Sequence, residues 1–297
     1  MTHAHAPVLY QEVLEGLQLR SGAMVIDATL GLAGHARGML DAIGPSGRLL
    51  AFEWDARNRT LAAAALSGYP DPEIVPASFA QMREACTKRG IAAVDAILMD
   101  LGISSPHLDD AERGFSFRHD GPLDMRMDTT QPQTAADLLS RLDEHELTTI
   151  LRELGEEPFA RPLAKAIIAQ RQQAPLDTTT ALYAVIEQVC YRNPKKAAAR
   201  VFQALRLAVN HELETLQAAL PQAIELLAPG GRLAVISFHS LEDRMVKTAF
   251  RDRERLSKGE SPCWRRINKK VIVPTEAEQA TNPRSRSAKL RLLERIS

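Results

Sequence analysis

The chain has 297 residues, with 37 Lys/Arg against 37 Asp/Glu and no net charge. That length allows a large core in one or two domains, and the composition is that of a soluble globular protein. It lacks an apolar run long enough to span a bilayer and a signal-peptide core in its first ten residues, and its three scattered cysteines (Cys86, Cys190, Cys263) offer neither a disulfide framework nor a zinc site and fit a reducing cytoplasm.

An apolar run at 24–28 holds Asp27 and leads into Thr29-Leu-Gly31-Leu-Ala-Gly34-His35, with a helix predicted over 33–43. Residues 48–53 read as a second strand, 56–66 as an Ala-rich helix, 73–76 as a weak third strand and 79–89 as a helix. The fourth strand, 94–100, ends at Asp100. Strands alternating with helices imply a parallel, doubly wound sheet. After Asp109 the pattern changes. Residues 110–200 hold no convincing strand, and amphipathic helices are expected over 138–154, 159–173 and 179–189, with Asp177 and the following threonines as caps. A further helix over 200–227 ends at Pro229-Gly230-Gly231, before a β-branched strand at 232–238 and a charged helix at 241–256. Residues 270–273 and 289–293 could close the sheet as edge strands. The economical arrangement is a Rossmann-like domain built from 1–109 and 201–297, interrupted by a helical insertion at 110–200.

Charge is unevenly spread. Residues 244–297 carry 15 Lys/Arg and 6 Asp/Glu, against 22 and 31 in the remainder. A basic end on an otherwise acidic chain points to a polyanionic partner, the alternative being a solvated charged helix and tail.

The loop Asp27–x₃–Gly31–x₂–Gly34 lies between a strand and a helix. Glycine lets a backbone approach a ligand, and a helix N-terminus offers free N–H groups, although an ordinary tight turn has the same pattern. The spacing is not the dinucleotide Gly-x-Gly-x-x-Gly, which disfavours a nicotinamide-dependent oxidoreductase. Glu53 ends the second strand, where an acid can accept both ribose hydroxyls of a nucleoside. Asp55 is placed to cap the next helix. Phe79 follows the third strand and could stack on an adenine or simply fill the core. Asp100-Leu-Gly-Ile-Ser104-Ser105-Pro106-His107 puts a carboxylate and two hydroxyls beyond the fourth strand, where open α/β sheets bind ligands. His35 and His107 read as hydrogen-bonding groups, since neither has a second ligand at zinc-like spacing. Taken together, glycine loop, acid, aromatic and aspartate follow strands one to four in the order in which a class I methyltransferase surrounds S-adenosylmethionine.

Longer stretches carry a more specific resemblance. They include His5-Ala-Pro-Val-Leu9, Asp27–His35, Asp100–Asp109, Arg113-Gly-Phe-Ser-Phe117, Gly121-Pro-Leu-Asp-Met-Arg-Met-Asp128, Arg200-x-Phe-Gln-Ala-Leu-Arg206, Gly230-Gly-Arg-Leu-Ala-Val-Ile-Ser-Phe-His-Ser-Leu-Glu-Asp-Arg244 and Asn282-Pro-Arg-Ser-Arg-Ser287. Over almost its full length the chain resembles the bacterial ribosomal RNA small subunit methyltransferase H family, cytidine N4-methyltransferases. The resemblance implies S-adenosylmethionine as methyl donor and no metal. The implied substrate is 16S rRNA in the small subunit or its late precursor, methylated at one cytidine amine near the decoding site. It places cofactor contacts at Ala33, Gly34, His35, Glu53, Phe79, Asp100 and His107. Ala33 stands where a glycine is common, which a backbone contact tolerates if φ stays negative, and Glu53 stands where Asp is common. The segment between Gly259 and Lys270 is short for the family.

A cytosine amine is a poor nucleophile, so acceptors near its N–H groups are expected to favour a reactive, pyramidal nitrogen. Asp100, Ser104, Ser105 and Pro106 are the candidates, through side chains or main-chain carbonyls, with Asp100 contacting the cofactor instead or as well. Arg251, Arg253, Arg265, Arg266, Lys269, Lys270, Arg284 and Arg286 are candidate phosphate contacts and Trp264 a candidate base-stacking ring. Residues 113–128 are expected to close over the target base. A homodimer is compatible with the sequence. Two competing readings are a DNA amino-methyltransferase, disfavoured by His107 after Pro106, and a non-catalytic assembly factor that senses S-adenosylmethionine.

Overall fold

The computed structural model describes residues 7–256 and 263–297. His5 and Ala6 of the N-terminal motif, and residues 259–262 of the shortened segment, lie outside the described residues. Two compact units divide the chain: residues 1–102 with 213–297, and residues 103–212.

The first unit is built on seven strands: β1 (Met24–Asp27), β2 (Arg48–Phe52), β3 (Glu73–Val75), β4 (Val94–Asp100), β5 (Leu227–Ser237), β6 (Trp264–Arg266) and β7 (Lys289–Arg295). Their order is β3-β2-β1-β4-β5-β7-β6. β1 to β5 are parallel, and β7 runs antiparallel to both of its neighbours. Chain order runs outward from β1 through β2 to β3, and in the other direction from β4 to β5. The carboxyl ends of β1 and β4 therefore border the switch point, where this architecture opens a crevice.

Central parallel strands are covered on both faces, so their side chains alternate between two cores. Ile26, Ile97, Met99, Leu233 and Val235 join one cluster with Met82, Leu220, Ile224 and Phe250 from the helices Met82–Lys88, Glu212–Leu226 and Ser240–Leu256. Val25, Ala96, Leu98, Ala234 and Ile236 join the other with Val13, Met39 and Ile43 from the helices Tyr10–Leu17 and Gly34–Ile43. The helix Tyr10–Leu17 was not anticipated from sequence.

Two strand expectations need correction. β5 begins at Leu227 rather than 232, and Pro229-Gly230-Gly231 makes a bulge in it instead of a terminator. Val94 pairs with Leu227 and Ala96 next with Arg232, with Gly230 at φ +80 absorbing the offset. The far edge is Trp264–Arg266 rather than 270–273. Ile272 makes only an isolated bridge to Leu290.

The second unit is mostly helical, with helices Ser105–Asp109, Ala135–Arg141, Glu144–Glu153, Ala160–Arg171, Thr179–Val189 and Pro194–Asn210. Among its described residues the sole β contact is a bridge between Pro122 and Thr178. The helix expected over 138–154 is two helices. Asp143 accepts the Glu146 N–H at 2.8 Å while Glu146 accepts the Asp143 N–H at 2.9 Å, a reciprocal cap that restarts the helix. The helix expected over 200–227 also divides, at His211, where φ is +49. The division of the units falls at 212 rather than 200 because Pro194–Asn210 is one continuous helix, packed on the helices Glu144–Glu153 and Thr179–Val189.

A long irregular segment of this unit is pinned from within. Asn210, 1% exposed, donates to the Met125 carbonyl and accepts the Met127 N–H, both at 2.7 Å. Asp124 takes a two-pronged hydrogen bond from Arg126, at 2.8 and 2.7 Å. These bonds hold Met125 at φ +61, a backbone region that non-glycine residues rarely enter.

Candidate active site

In the first unit the turn after β1 is tied to the neighbouring strands. Asp27 is buried and its Oδ1 accepts the Thr29 N–H at 3.0 Å. Thr29 Oγ1 in turn accepts the Asp100 N–H at 2.6 Å. Gly31, at φ +53, donates its N–H to Glu53 Oε2 at 3.0 Å. Glu53 Oε1 accepts the Asp55 N–H at 2.9 Å, and Asp55 caps the helix Ala56–Ala65 through the Arg57 and Asn58 N–H groups, as expected.

Ala33 does not keep a negative φ. It sits at +64, in the left-handed region, immediately before the helix Gly34–Ile43. Its N–H donates to the Leu30 carbonyl at 2.8 Å and its side chain is buried, so the turn holds the alanine in a conformation that suits glycine. Gly34 is required by packing, because a Cβ there would lie 2.6 Å from Pro7 Cγ. His35 is buried: Nε2 is 3.0 Å from the Val8 carbonyl, Nδ1 is 3.6 Å from Asp100 Oδ2, and Tyr10 stacks on the ring at 6.0 Å. Phe79 opens a short helical turn, half-buried against the core.

Asp100 is the focus of this unit. Its side chain keeps 26% exposure, yet Oδ1 is enclosed and has no hydrogen-bond partner. Burial of the carboxyl, with the charges of Asp27 and Glu242, holds its pKa well above the usual carboxylate range. Burial also pushes Asp27 up to about 7, against the opposing Thr29 hydrogen bond, and likewise pushes Glu53 up to about 7. Glu242 Oε2 accepts the Phe238 N–H at 2.8 Å, and Oε1 lies 3.2 Å from His239 Nε2, fixing the turn beyond β5. Asp27 and Asp100 thus end the adjacent strands β1 and β4, and Glu242 lies in the first turn of the helix after β5, where its charge acts on Asp100. Asp27 and Glu242 were not singled out as site residues from sequence. Their signal was present, since each sits in a motif that follows a strand end just as the Asp100 motif follows β4.

In the second unit Ser104 caps the helix Ser105–Asp109, and its Oγ lies 3.0 Å from His107 Nδ1. Ser105 is buried with an unpartnered hydroxyl, Pro106 occupies the first turn, and the buried His107 ring meets Phe115 at 5.0 Å. The predicted set is therefore divided. Ala33, Gly34, His35, Glu53, Phe79 and Asp100 belong to the sheet unit, while Ser104, Ser105, Pro106 and His107 open the helical one.

Much of the basic C-terminal set is already paired. Arg253 meets Glu225 at 3.2 Å, Arg265 meets Glu294 at 2.5 Å, Arg266 meets Glu254 at 2.6 Å and Arg251 meets Asp252 at 3.1 Å. Arg295 covers the Trp264 ring at 5.8 Å.

Residues 2–296 match the profile of the MraW methylase family. This chain belongs to the MraW methylase family. A protein of Dechloromonas aromatica named ribosomal RNA small subunit methyltransferase H is 44% identical to it, over 99% of this chain and 98% of that one. A protein of the same name from Geobacter sulfurreducens is also 44% identical, over the whole of both chains. The fold of this methylase is the Rossmann-like class I arrangement with a mostly helical insertion.

Proposed function

We propose that this methylase transfers a methyl group from S-adenosylmethionine to the exocyclic N4 amine of one cytidine in the 16S rRNA of the small ribosomal subunit, near the decoding site. The observation that carries the reading is family membership over residues 2–296, with 44% identity over nearly the full length of proteins bearing the small-subunit name. The substrate we assign is the cytoplasmic small subunit or its late precursor, recognised through the helical unit.

The sheet unit fits the methyl donor. Glu53 follows β2 where ribose hydroxyls would lie, Phe79 offers a ring after β3, and Asp100 adds a carboxyl group at the end of β4. Gly34, His35, Ala33 and His107 complete the assigned set. When bound, S-adenosylmethionine supplies an electrophilic methyl group. The protein's part is to orient the amine and manage its proton. We assign the amine contacts to Asp100, Ser104, Ser105 and Pro106, and the proton to Asp100 Oδ1. A raised pKa makes the ionised carboxylate a stronger base, so activity should climb with pH above the usual carboxylate range.

The test uses small subunits from cells lacking the protein, incubated with purified enzyme and labelled S-adenosylmethionine. Mass spectrometry of the digested rRNA should find N4-methylcytidine at one site. Label on another base or atom, or none on subunits and precursors alike, overturns the reading. Asp100→Asn should keep S-adenosylmethionine binding and lose roughly 10²–10⁴-fold in transfer, the range for a lost general base. Unchanged transfer removes Asp100 from the role.

A further inference from the structure

Phe159 and Tyr191 are the two most exposed large hydrophobic side chains among the described residues, at 55% and 71%. The buried Glu157 accepts the Phe159 N–H at 2.9 Å through Oε1, and Tyr191 lies in the turn between the helices Thr179–Val189 and Pro194–Asn210. Glu157 Oε2 lies 3.6 Å from Arg200 Nη1, which anchors this point to the helix Pro194–Asn210. That helix and Ala160–Arg171 each pack on Thr179–Val189, so the two rings project from a rigid base.

Three cations follow Tyr191 closely in the chain. The Arg192 guanidinium lies 5.8 Å from its ring centroid, and Lys195 and Lys196 follow on the first turn of the next helix. All three are exposed, and among the described residues none has a carboxylate within ion-pair distance. They contrast with the C-terminal arginines, whose charges are largely met by Glu225, Glu254 and Glu294. An exposed ring beside uncompensated cations matches single-stranded RNA, whose unpaired bases offer faces to stack and whose phosphates need charge.

We propose that Tyr191, Arg192, Lys195 and Lys196 form a docking surface on the helical unit for a single-stranded stretch of RNA, with a base stacked on the Tyr191 ring and phosphates held by the three cations. This rests on the rRNA reading above and locates part of its substrate recognition. The surface acts in binding and takes no part in methyl transfer itself.

The experiment measures, on the full chain, affinity for a labelled single-stranded RNA 12-mer and for unmodified small subunits across a salt series. S-adenosylmethionine affinity is followed in parallel. Tyr191→Ala should weaken RNA binding about 5- to 150-fold, the span of one stacked base, and raise KM for subunits without changing kcat. Tyr191→Phe should restore affinity and Tyr191→Leu should not, because the ring face is what binds. Lys195→Ala with Lys196→Ala should flatten the slope of log affinity against log salt by about 1.4, two single-strand phosphate contacts. Unchanged affinity in Tyr191→Ala, or rescue by leucine, overturns the docking surface while leaving the methyltransferase reading intact. Weaker binding to subunits with RNA affinity and salt slope unchanged also overturns it, and assigns the patch to a ribosomal protein. Wild-type protein that binds RNA through Tyr191 but methylates no subunit refutes the function and not the surface.

Discussion

Asp27 sets a measurable cost on folding at neutral pH. It ends β1 at 1% exposure, and burial moves its pKa from 3.8 to about 7. The unfolded carboxyl ionises near 3.8, while the folded one keeps its proton to about 7. Folding therefore takes up a proton throughout that window. Stability is full below the unfolded pKa, falls as pH rises towards the folded one, and levels off above it. Roughly three pH units at 1.36 kcal/mol each amount to about 4 kcal/mol. Between pH 5 and pH 8 the remaining loss is about 2.5 kcal/mol, because the unfolded carboxyl is already ionised at pH 5. Asp27→Asn keeps an oxygen for the Thr29 N–H and removes the titration. Glu53 has the same sign of shift and is present in both proteins, so it cancels, whereas Asp100 loses the raising effect of the Asp27 charge in Asp27→Asn, which widens the difference in the same direction. The chain's two tryptophans, Trp54 and Trp264, both lie in the sheet unit, so their fluorescence reads the relevant unfolding. In urea, wild type should lose about 2.5 kcal/mol more than Asp27→Asn between pH 5 and pH 8, a midpoint difference of roughly 1–2 M. Parallel pH dependences for the two proteins would refute the assignment.

Other perturbations follow from the same geometry. Gly34→Ala drives a Cβ to 2.6 Å from the stiff Pro7 ring and should cost about 1–3 kcal/mol in thermal unfolding, with weaker S-adenosylmethionine binding by calorimetry. At Ala33, with φ +64, glycine should change stability by no more than about 1 kcal/mol, since released strain offsets added chain entropy. Valine at that position should cost at least about 2 kcal/mol, and equal effects of the two would contradict the strained turn. Asn210→Ala leaves the Met127 N–H and the Met125 carbonyl without their partner and should cost about 2–3 kcal/mol. Hydrogen exchange at Met127 should accelerate first, and unchanged protection there would rule out Asn210 as the clamp.

The strands β1 to β4 were legible because parallel strands buried on both faces read as apolar runs between turn residues. Val94–Asp100 was bounded correctly at both ends. The edge at Trp264–Arg266 was not, because pairing with β7 rather than strand propensity places it. The break at Asp143 was visible in principle as Asp-x-x-Glu, but the apolar periodicity continues through it. Ala33 hid its strain, since a glycine would have announced the positive φ and an alanine does not. The largest omission concerns Asp100. Read as a motif, it is one carboxylate followed by two serines. Its pKa is raised first by burial and then by the charges of Asp27 and Glu242, distant in sequence from it on either side. These three meet because β1, β4 and β5 are neighbours in a sheet whose order is not chain order. The crossovers that carry the chain from β3 back to β4 beside β1, and through the helical unit to β5, are what turn three ordinary strand ends into one proton-holding cluster. The 126 residues between Asp100 and Leu227 include the whole helical insertion, 103–212, and Glu242 still belongs to that cluster. The sheet therefore fixes the electrostatics of Asp100, and the insertion is free to vary the surface it offers to a substrate.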